Sequence, residues 1–299
     1  MSDHAADIVV PGSISNLGPS FDAMSVAVQI YLRVRILERR DDAPGTIEWE
    51  FDGTGPSGEN RIDSAYQLAH ARVGLRAPGL RVRVQSDIPQ TAGLGSSAAA
   101  AVAGLRLYES VTATRTDEEL LALASELEGH PDNAAAALLG GLTVSCQFEN
   151  GRIVARSSPW PEDVRLVVAT PEVGLHTSEA RRVLPTDVPM RDAIFNLQRA
   201  LLFVRALDSG RYEDLREAMR DRWHQPARAP LVPGLAEAMA FDDPDVLGVC
   251  LSGAGPSILA LATHTGVTRA TALLGDLYKR LGMACTIRAL SAHNSNRTL

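Results

Sequence analysis

The sequence predicts an α+β fold in two domains, and three observations lead to this prediction. The chain has 299 residues, a length typical of about two domains. Hydrophobic residues make up 45% of the chain and charged residues 22%, a composition that can fill an apolar core. Strand-like and helix-like segments both occur without strict alternation, which favours α+β layers over a doubly wound parallel sheet.

The first half of the chain contains amphipathic strands and helices with recognisable ends. Ile30–Leu37 alternates apolar residues with arginines, which is typical of a half-buried strand. An alanine-rich run after Gly95 predicts a helix that two serines can cap. The predicted strands are Ile8–Val10, Ile30–Leu37, Ile47–Phe51, Leu80–Ser86 and Leu142–Cys146, and the predicted helices are Asp63–Val73, Ser96–Ala103, Thr116–Glu128 and Ala134–Leu139.

The second half of the chain begins after a segment that has two prolines and no periodicity, Ser157–Asp163. We place the domain boundary there, which gives domains of residues 1–158 and 159–299. The predicted strands beyond it are Arg165–Thr170, Val246–Cys250, Ile258–Ala262 and Cys285–Leu290, and the predicted helices are Asp192–Ser209, Tyr212–Trp223, Gly234–Met239 and Val267–Leu281.

Charge and cysteine content exclude several classes of protein. The net charge of −7 disfavours general nucleic-acid binding, because phosphate neutralisation needs clustered cations. Three scattered cysteines are too few for a disulfide framework or a zinc site. The acidic N-terminus carries no export signal, and the two long uncharged stretches contain turn-forming residues. We therefore expect a cytoplasmic protein with no membrane or nucleic-acid partner.

The most informative segment is the glycine-rich loop Pro89–Ala99. Glycines without a Cβ let the backbone approach a ligand, and a helix that starts directly afterwards adds free N–H groups and a partial positive charge. Together these features predict a phosphate-binding loop, with a simple strand-to-helix turn as the alternative. The loop lacks the lysine of a Walker A motif and the third glycine of a dinucleotide fingerprint.

Two further glycine-bearing loops, Pro11–Asp22 and Leu251–Ser257, also follow apolar strand-like segments. Three such loops are what a nucleotide site built from distant segments requires. In order and spacing they resemble the three motifs of the GHMP kinases, the superfamily of galactokinase, homoserine kinase, mevalonate kinase and phosphomevalonate kinase. The resemblance covers nearly the whole chain, and the loop Gly93–Ala98 is its most specific part.

Within that superfamily the chain is most similar to the homoserine kinase branch. The segments that carry this similarity are Asn16–Asp22, Glu128–Asn133, Thr177–Arg181 and His224–Arg228. The resemblance implies an N-terminal domain like ribosomal protein S5 domain 2 and a ferredoxin-like C-terminal domain. It also implies transfer of the ATP γ-phosphate to the hydroxyl of L-homoserine, with Mg²⁺ as the metal and a possible homodimer.

The resemblance assigns the nucleotide to the glycine-rich loop and its neighbours. Ser97 and Glu128 are the Mg²⁺ ligands by this assignment, and a solvated carboxylate at a helix end is the alternative for Glu128. Asn60 is placed near the purine or the ribose, with turn capping as an equally open alternative. The residues assigned to ATP are Asn60, Pro89, Gly93, Leu94, Gly95, Ser96, Ser97 and Ala98.

An amino-acid alcohol offers a carboxylate, an ammonium group and the attacking hydroxyl. The planar guanidinium fork matches a carboxylate, and the resemblance points to Arg181 and Arg228 for this role. The ammonium group needs an anion or an amide oxygen. The residues assigned to the acceptor are Asn16, Asp22, His130, Arg181 and Arg228, with Asp132 in the same pocket.

The expected catalytic residues are Asn133, Asp132 and Arg181. Sugar and mevalonate kinases carry an aspartate that can accept the hydroxyl proton, and the matching position here is Asn133, whose amide cannot act as a base. This implies catalysis by positioning and electrostatics, because a loose phosphoryl-transfer transition state leaves little work for a base. Asp132 as the base is the alternative.

Four positions depart from the branch pattern, namely Ser20, Ser25, Ala92 and Ala227. Ser20 and Ala227 in particular could reshape the acceptor pocket, so two other functions stay open. One is a GHMP kinase for a different acceptor, such as threonine, a sugar or an isoprenoid acid. The other is a ligand sensor that binds nucleotide and turns nothing over.

Overall fold

The computed structural model describes residues 7–53, 55–56 and 58–294, in which two β-sheets are flanked by helices. The strands are β1 Asp7–Ser15, β2 Met24–Arg40, β3 Ile47–Phe51, β4 Gly79–Ser86, β5 Leu142–Gln147, β6 Ile153–Ser158, β7 Val164–Pro171, β8 Val246–Leu251, β9 Ile258–Thr263 and β10 Cys285–Leu290. The helices are α1 Arg61–Val73, α2 Ser96–Val111, α3 Asp117–Glu128, α4 Asp132–Leu139, α5 Thr177–Arg182, α6 Met190–Ser209, α7 Leu215–Ala218, α8 His224–Arg228, α9 Leu235–Met239 and α10 Val267–Arg280.

The first sheet has the strand order β3-β4-β2-β5-β6, and β1 also pairs with β2. The 17-residue β2 is central, because different parts of it pair with β1, β4 and β5. The helices α2 and α4 pack against β1 and β2. The loop that precedes α2 lies against the C-terminal part of β1, since Ser13 N donates to the Leu94 carbonyl.

The second sheet has the order β10-β7-β9-β8, and all of its pairings are antiparallel. With the first of these strands in the chain counted as one, this is the order 4-1-3-2. The helices α5 to α9 lie between the first two of these strands in sequence, and α10 lies between the last two. This βαββαβ arrangement confirms the ferredoxin-like fold expected for the C-terminal half.

The core explains how the two sheets are joined. Alternate residues of β7 point to opposite faces of the sheet, as strand geometry requires. Leu166 and Val168 belong to a large apolar cluster that also contains the core of the first sheet, whereas Val167 and Ala169 join a smaller cluster under α10. One apolar cluster therefore spans both sheets, and the division at residues 158 and 159 stays a prediction about chain organisation.

Helix boundaries follow from capping chemistry. The Asn60 side chain accepts hydrogen bonds from the backbone of Ile62 and Asp63, so α1 begins two residues before its predicted start. Thr116 and Glu119 form a capping box that fixes the start of α3. Both α1 and α3 end at a glycine in the left-handed conformation, Gly74 and Gly129.

Several local predictions were wrong or incomplete, and the short helices α5 and α8 were not predicted at all. The predicted helix Tyr212–Trp223 is a 3₁₀ turn followed by the four-residue α7, because the Asp221 carboxylate accepts from the backbone of Trp223 and Gln225 and redirects the chain. The segment before Ile30 belongs to a continuous β2. The strand β6 was not predicted from the sequence patterns.

Within the described residues, no helix is long and apolar enough to cross a membrane.

Candidate active site

The glycine-rich loop connects β4 to α2 in a conformation that glycine alone adopts easily. Gly93 and Gly95 have φ of +75° and +71°. A Cβ on Gly95 would lie 2.1 Å from Ser13 Oγ, and one on Gly93 would lie 2.3 Å from the Ser252 carbonyl oxygen. Gly95 is also the N-cap of α2 and has no side chain to cap it. The first backbone N–H groups of the helix therefore face the adjoining cavity as a potential anion site.

The three glycine-bearing loops meet through hydrogen bonds. Ser13 N donates to the Leu94 carbonyl at 3.1 Å, and Ser252 Oγ donates to the Gly93 carbonyl at 2.7 Å. Gly253 N donates to the Ser15 carbonyl at 3.1 Å and closes the group. The structure thus brings together loops that lie up to about 240 residues apart, as the sequence analysis expected of a composite nucleotide site.

Two cavities adjoin at this point. The first, of about 350 Å³, is lined by residues of the three loops and by the predicted acceptor residues. The second, of about 550 Å³, is lined by apolar residues of the first sheet and by Asn60. The side chain of Asn60 therefore caps α1 and also borders the second cavity. The residues common to both cavities are Arg61, Thr91, Ser96, Ser97 and His176.

Ser97 and Glu128 form a hard-oxygen pair at the boundary between loop and cavity. Ser97 Oγ donates to Glu128 Oε1 at 2.7 Å, and Arg61 Nε lies 3.5 Å from the same oxygen. Neighbouring ligand oxygens of an octahedral Mg²⁺ lie about 3 Å apart, so this donor pair fits that ion. The Glu128 side chain is only 8% exposed, which argues against a solvated carboxylate.

The predicted acceptor residues that line the first cavity include both positive and negative side chains. Arg181 makes a bidentate ion pair with Asp22, with N–O distances of 2.7 and 3.0 Å. The Asn16 side chain donates to the Gly253 carbonyl at 2.9 Å and accepts from the backbone N–H of Asp22 at 3.0 Å. The β1–β2 loop thereby holds Asp22 opposite α5.

Arg228 is a buried cation behind this ion pair. The residue is 1% exposed, and its side chain donates to the carbonyls of Ala180 and Gly253 at 3.0 and 3.2 Å. Burial and then repulsion by Arg181 lower the pKa of Arg228 to about 10, so it stays charged at neutral pH. Arg228 is therefore charged in the folded protein although burial favours the neutral form.

The ring of His224 lies between the Gly18 carbonyl and the Arg228 guanidinium. Its Nε2 lies 2.6 Å from the Gly18 carbonyl, and Arg228 Nη1 lies 3.4 Å from its Nδ1. Because a carbonyl only accepts, we assign the proton to Nε2, which leaves Nδ1 as an acceptor for Arg228. Burial lowers the pKa of His224, which agrees with a neutral ring.

Asn133, Asp132 and His130 also line the first cavity, and the ligand atoms of Asp132 and His130 lie within 4.8 Å of the Asp22 carboxylate. Asn133 Oδ1 accepts from Ser13 Oγ at 2.8 Å, and its Nδ2 donates to Ser15 Oγ at 3.0 Å. Asp132 Oδ1 accepts from the backbone of Asn133 at 2.8 Å and lies 2.6 Å from His130 Nδ1. These contacts fix the Asn133 side chain in one orientation. Asp132 Oδ1 has two partners, the backbone N–H of Asn133 and His130 Nδ1.

Comparison with known proteins gives the family. The sequence model of the GHMP kinases N terminal domain matches residues 60–141, and that of the GHMP kinases C terminal domain matches residues 203–273. The homoserine kinase of Thermus thermophilus is 41% identical over 257 residues, which cover 85% of this chain and 86% of the relative. The chain belongs to the GHMP kinase family.

Two more comparisons agree with this assignment. The homoserine kinase of Aquifex aeolicus is 36% identical over 289 residues, covering 96% of this chain and 97% of the relative. A crystal structure of homoserine kinase from Cytophaga hutchinsonii superposes with a TM-score of 0.84 at 22% identity, covering 99% of this chain and 97% of the other. At that identity the superposition shows the fold, which is the two-domain GHMP kinase fold.

The structure places most of the predicted GHMP kinase residues around the first cavity. Those that line it are Asn16, Asp22, Gly93, Gly95, Ser96, Ser97, Ala98, Glu128, His130, Asp132, Asn133, Arg181 and Arg228. Asn60 borders the second cavity, Pro89 lines a separate groove, and the Leu94 side chain is fully buried in the core. Among the four departures from the branch pattern, Ala92 lines the first cavity, whereas Ser20, Ser25 and Ala227 do not.

Several residues of the GHMP kinase site were missed by the sequence analysis. Ser13 and Ser15 orient Asn133, and Arg61 approaches Glu128. The Phe21 ring lies beside the guanidinium groups of both Arg181 and Arg228, at 5.3 and 5.1 Å from its centroid. Both serines and Phe21 belong to the first glycine-bearing loop, so that loop's composition was the available signal.

The pairing of His130 with Asp132 predicts that the stability of this GHMP kinase depends on pH. Burial opposes the charged imidazole, but the hydrogen bond and charge of Asp132 outweigh it, so the pKa of His130 is raised. The pair stabilises the fold fully below the pKa of histidine in the unfolded chain, and this contribution is lost as pH rises through the raised pKa. We expect His130→Gln to lower the melting temperature at about pH 5.5 more than at about pH 8.5.

Thermal unfolding of the parent and the variant at both pH values measures this difference. The exposed His264 serves as the control, and we expect His264→Gln to behave like the parent at both pH values. An equal loss for His130→Gln at both pH values would contradict the charge-based explanation.

Proposed function

We propose that this protein transfers the γ-phosphoryl group of ATP to the hydroxyl of L-homoserine, giving O-phospho-L-homoserine and ADP for threonine biosynthesis. Relatives that match most of the chain include the homoserine kinases of Thermus thermophilus and Aquifex aeolicus. The observation that carries the proposal is one cavity that is lined both by the glycine-rich loop and by Asp22, Arg181 and Arg228. A zwitterionic amino acid with a terminal hydroxyl supplies the charges that these residues require.

The chain's own residues contribute mainly by positioning. The helix α2 begins at the loop, and its N–H groups and dipole favour the phosphate groups. Asn133 uses one Nδ2 hydrogen for Ser15 and has a second hydrogen for a ligand in the cavity. The hydroxyl oxygen of the acceptor forms a bond to the γ-phosphorus while the bond between that phosphorus and the oxygen that leaves with ADP breaks. Because Asn133 cannot accept the proton, the hydroxyl proton passes late to a phosphate oxygen or to water.

Ser97 and Glu128 would hold Mg²⁺ in this proposal. When bound, the ion neutralises charge that develops on the phosphate oxygens. We expect Glu128→Gln to reduce kcat/KM by about 100-fold or more and to raise the Mg²⁺ concentration needed for half-maximal rate. Rates measured across an Mg²⁺ series test this.

The control for that series is Glu126→Gln, which removes a surface carboxylate from the same helix. It should leave the Mg²⁺ dependence unchanged. If Glu128→Gln loses activity with an unaltered Mg²⁺ dependence, Glu128 acts through Arg61 or Ser97 and is not a metal ligand.

The test of the proposed function is ADP release in a coupled assay with ATP and Mg²⁺. The acceptors are homoserine, threonine, serine, mevalonate and galactose. We expect turnover with homoserine well above the other four. Turnover only with another acceptor would keep the kinase chemistry and overturn the acceptor. ATP binding without turnover on any of them would favour a ligand sensor.

We also propose that two copies of the chain associate through α6. Four apolar side chains on this helix are exposed at spacings of four, three and four residues: Met190, Ile194, Leu197 and Leu201. The ion pairs Arg191–Asp192 and Arg205–Asp208 lie near opposite ends of the stripe, and a two-fold axis would place the apolar side chains of two copies against each other.

Light scattering tests this association. We expect Leu197→Glu with Leu201→Glu to convert a dimer into a monomer, because burying the added carboxylates is unfavourable. Val144→Glu changes an exposed apolar residue on β5 and serves as the control. An unchanged mass for the α6 variant would place the interface elsewhere.

A further inference from the structure

The two cavities share a passage whose walls belong to both. The proposed function places the purine of ATP in the second cavity and the acceptor in the first, so the phosphates must lie in this passage. The residues that line both cavities are Arg61, Thr91, Ser96, Ser97 and His176. Arg61 is the only one of the five with a permanent positive charge.

No lysine is available to contact the phosphates from within the described structure. The chain contains one lysine, Lys279, which is exposed in the last turn of α10 and lines neither cavity. Arg181 and Arg228 line the first cavity and not the second. Among the described residues that line the second cavity, Arg61 is the only arginine or lysine.

Close packing of two helices places Arg61 beside the glycine-rich loop. Arg61 is the first residue of α1, and Ser97 is the second residue of α2. The lack of a side chain at Gly104 of α2 lets the start of α1 come near, because a Cβ there would lie 2.1 Å from the Ile62 carbonyl oxygen. As a result, Arg61 Nε lies 3.5 Å from Glu128 Oε1, the oxygen that accepts from the Ser97 hydroxyl.

The contacts of Arg61 with carboxylates are long. Its Nη1 donates to Glu59 Oε2 at 3.4 Å, and its Nε lies 3.5 Å from Glu128 Oε1, whereas charge-assisted hydrogen bonds are typically about 2.7–2.9 Å long. The Glu59 side chain is 64% exposed, so its pair with Arg61 contributes little to stability. The guanidinium of Arg61 is therefore open to a stronger anionic partner in the passage.

We infer that Arg61 binds the phosphate oxygens of the nucleotide and supplies the fixed positive charge that the glycine-rich loop lacks. The inference rests on the proposed function. A guanidinium can donate two parallel hydrogen bonds to phosphate oxygens, and its charge offsets the negative charge of the group that is transferred. Because Ser97 and Glu128 lie beside it, Arg61 and a metal ion held by them would act on the same phosphates.

Equilibrium binding of nucleotides in the absence of an acceptor tests the inference. Titration calorimetry of the parent and Arg61→Met with ATP, ADP and AMP gives three affinities for each protein. We expect Arg61→Met to bind ATP about 10-fold or more weakly than the parent, ADP with a smaller loss, and AMP within about two-fold of the parent. An equal loss for all three nucleotides would show that Arg61 shapes the base cavity and would overturn the inference.

The same titrations in EDTA separate Arg61 from the proposed metal ligands. Direct contact with phosphate predicts that Arg61→Met loses ATP affinity both with Mg²⁺ and without it. If Arg61 only positions Glu128, the variant will lose ATP affinity in the presence of Mg²⁺ alone. That result would also overturn the inference.

Two further variants serve as comparisons. Arg61→Lys keeps the charge without the planar fork, so part of the ATP affinity should return. Arg72 lies on the same helix, pairs with Glu126 and lines neither cavity, so Arg72→Met should bind all three nucleotides like the parent. Denaturant unfolding of each variant shows whether a lost affinity comes from lost folding.

Chemical modification of the parent protein needs no variant. Phenylglyoxal modifies guanidinium groups, and mass spectrometry of peptides measures the extent at each arginine. We expect ATP to protect Arg61 several-fold and adenosine to protect it little, while Arg72 is modified equally with either ligand. Equal protection of Arg61 by adenosine and ATP, or no protection by ATP, would overturn the inference.

Steady-state kinetics distinguish failure of this inference from failure of the proposed function. We expect kcat/KM for ATP to fall by about 100-fold or more in Arg61→Met, with the KM for homoserine close to that of the parent. Parental ATP kinetics in folded Arg61→Met would overturn the inference and leave the proposed function intact. Absence of homoserine turnover by the parent would instead overturn the proposed function, and the nucleotide titrations would still report on Arg61.

Discussion

Gly95→Ala is expected to abolish most phosphoryl transfer, with kcat/KM for ATP falling by more than about 100-fold. The residue has φ of +71°, which an alanine adopts at a cost of about 1–2 kcal/mol. The new Cβ would also lie 2.1 Å from Ser13 Oγ and 3.0 Å from Ser13 N. Ser13 must then move, and its hydrogen bond to Asn133 moves with it.

Thermal unfolding and steady-state kinetics with varied ATP measure this effect. Gly74→Ala is the matched control, because Gly74 has φ of +72° and a Cβ there would meet no neighbouring atom within 4 Å. Gly74→Ala should lose only the roughly 1–2 kcal/mol that the left-handed conformation costs an alanine, and its kcat and KM should equal those of the parent. If Gly95→Ala retains parental kinetics, the loop does not need close contact with β1 to bind phosphate.

Arg228→Met is expected to lower kcat/KM for homoserine by about 10³-fold while changing the free energy of unfolding by less than about 2 kcal/mol. The lowered pKa shows that burial disfavours the charge of Arg228 in the folded state. Loss of its hydrogen bonds to two carbonyls and to His224 Nδ1 opposes this gain, at about 1 kcal/mol each. Relief of the buried charge and loss of the hydrogen bonds therefore nearly cancel in the free energy of unfolding. Binding of the acceptor carboxylate loses the guanidinium and gains nothing in return.

Denaturant unfolding and homoserine kinetics together test this separation. Arg228→Lys keeps the charge without the planar fork, so part of the activity should return. Arg72→Met removes a surface arginine that pairs with Glu126 and should affect neither measurement. A collapse in the stability of Arg228→Met would show that this arginine is held for structure and not for the acceptor.

Local sequence patterns predicted most of the elements, because each of these depends on neighbouring residues. The capping box at Thr116 and Glu119 lies at the predicted start of α3, and β10 spans the predicted residues Cys285–Leu290. The predicted helix Tyr212–Trp223 failed because the buried Asp221 side chain competes for backbone N–H groups. Its other partner, Asn196, lies on α6, and no local pattern reports that contact.

The candidate site shows the same division. The resemblance to the homoserine kinase branch pointed to Asp22, Asn133 and Arg181 as residues for the chemistry, because each lies in a segment that carries the resemblance. That Arg181 closes on Asp22 across 159 residues could not be predicted, since the fold alone sets the distance between α5 and the β1–β2 loop.

The sequence by itself determined the α+β class, the three glycine-bearing loops and the family to which they belong. These features are local, set by backbone freedom at glycine, capping side chains and the period of apolar residues. Only the tertiary structure decided that Arg228 is buried beside a neutral His224 and that Phe21 lies beside both arginines. Burial and ion pairing depend on which distant segments the packed core brings together, and that information is not present in any one segment.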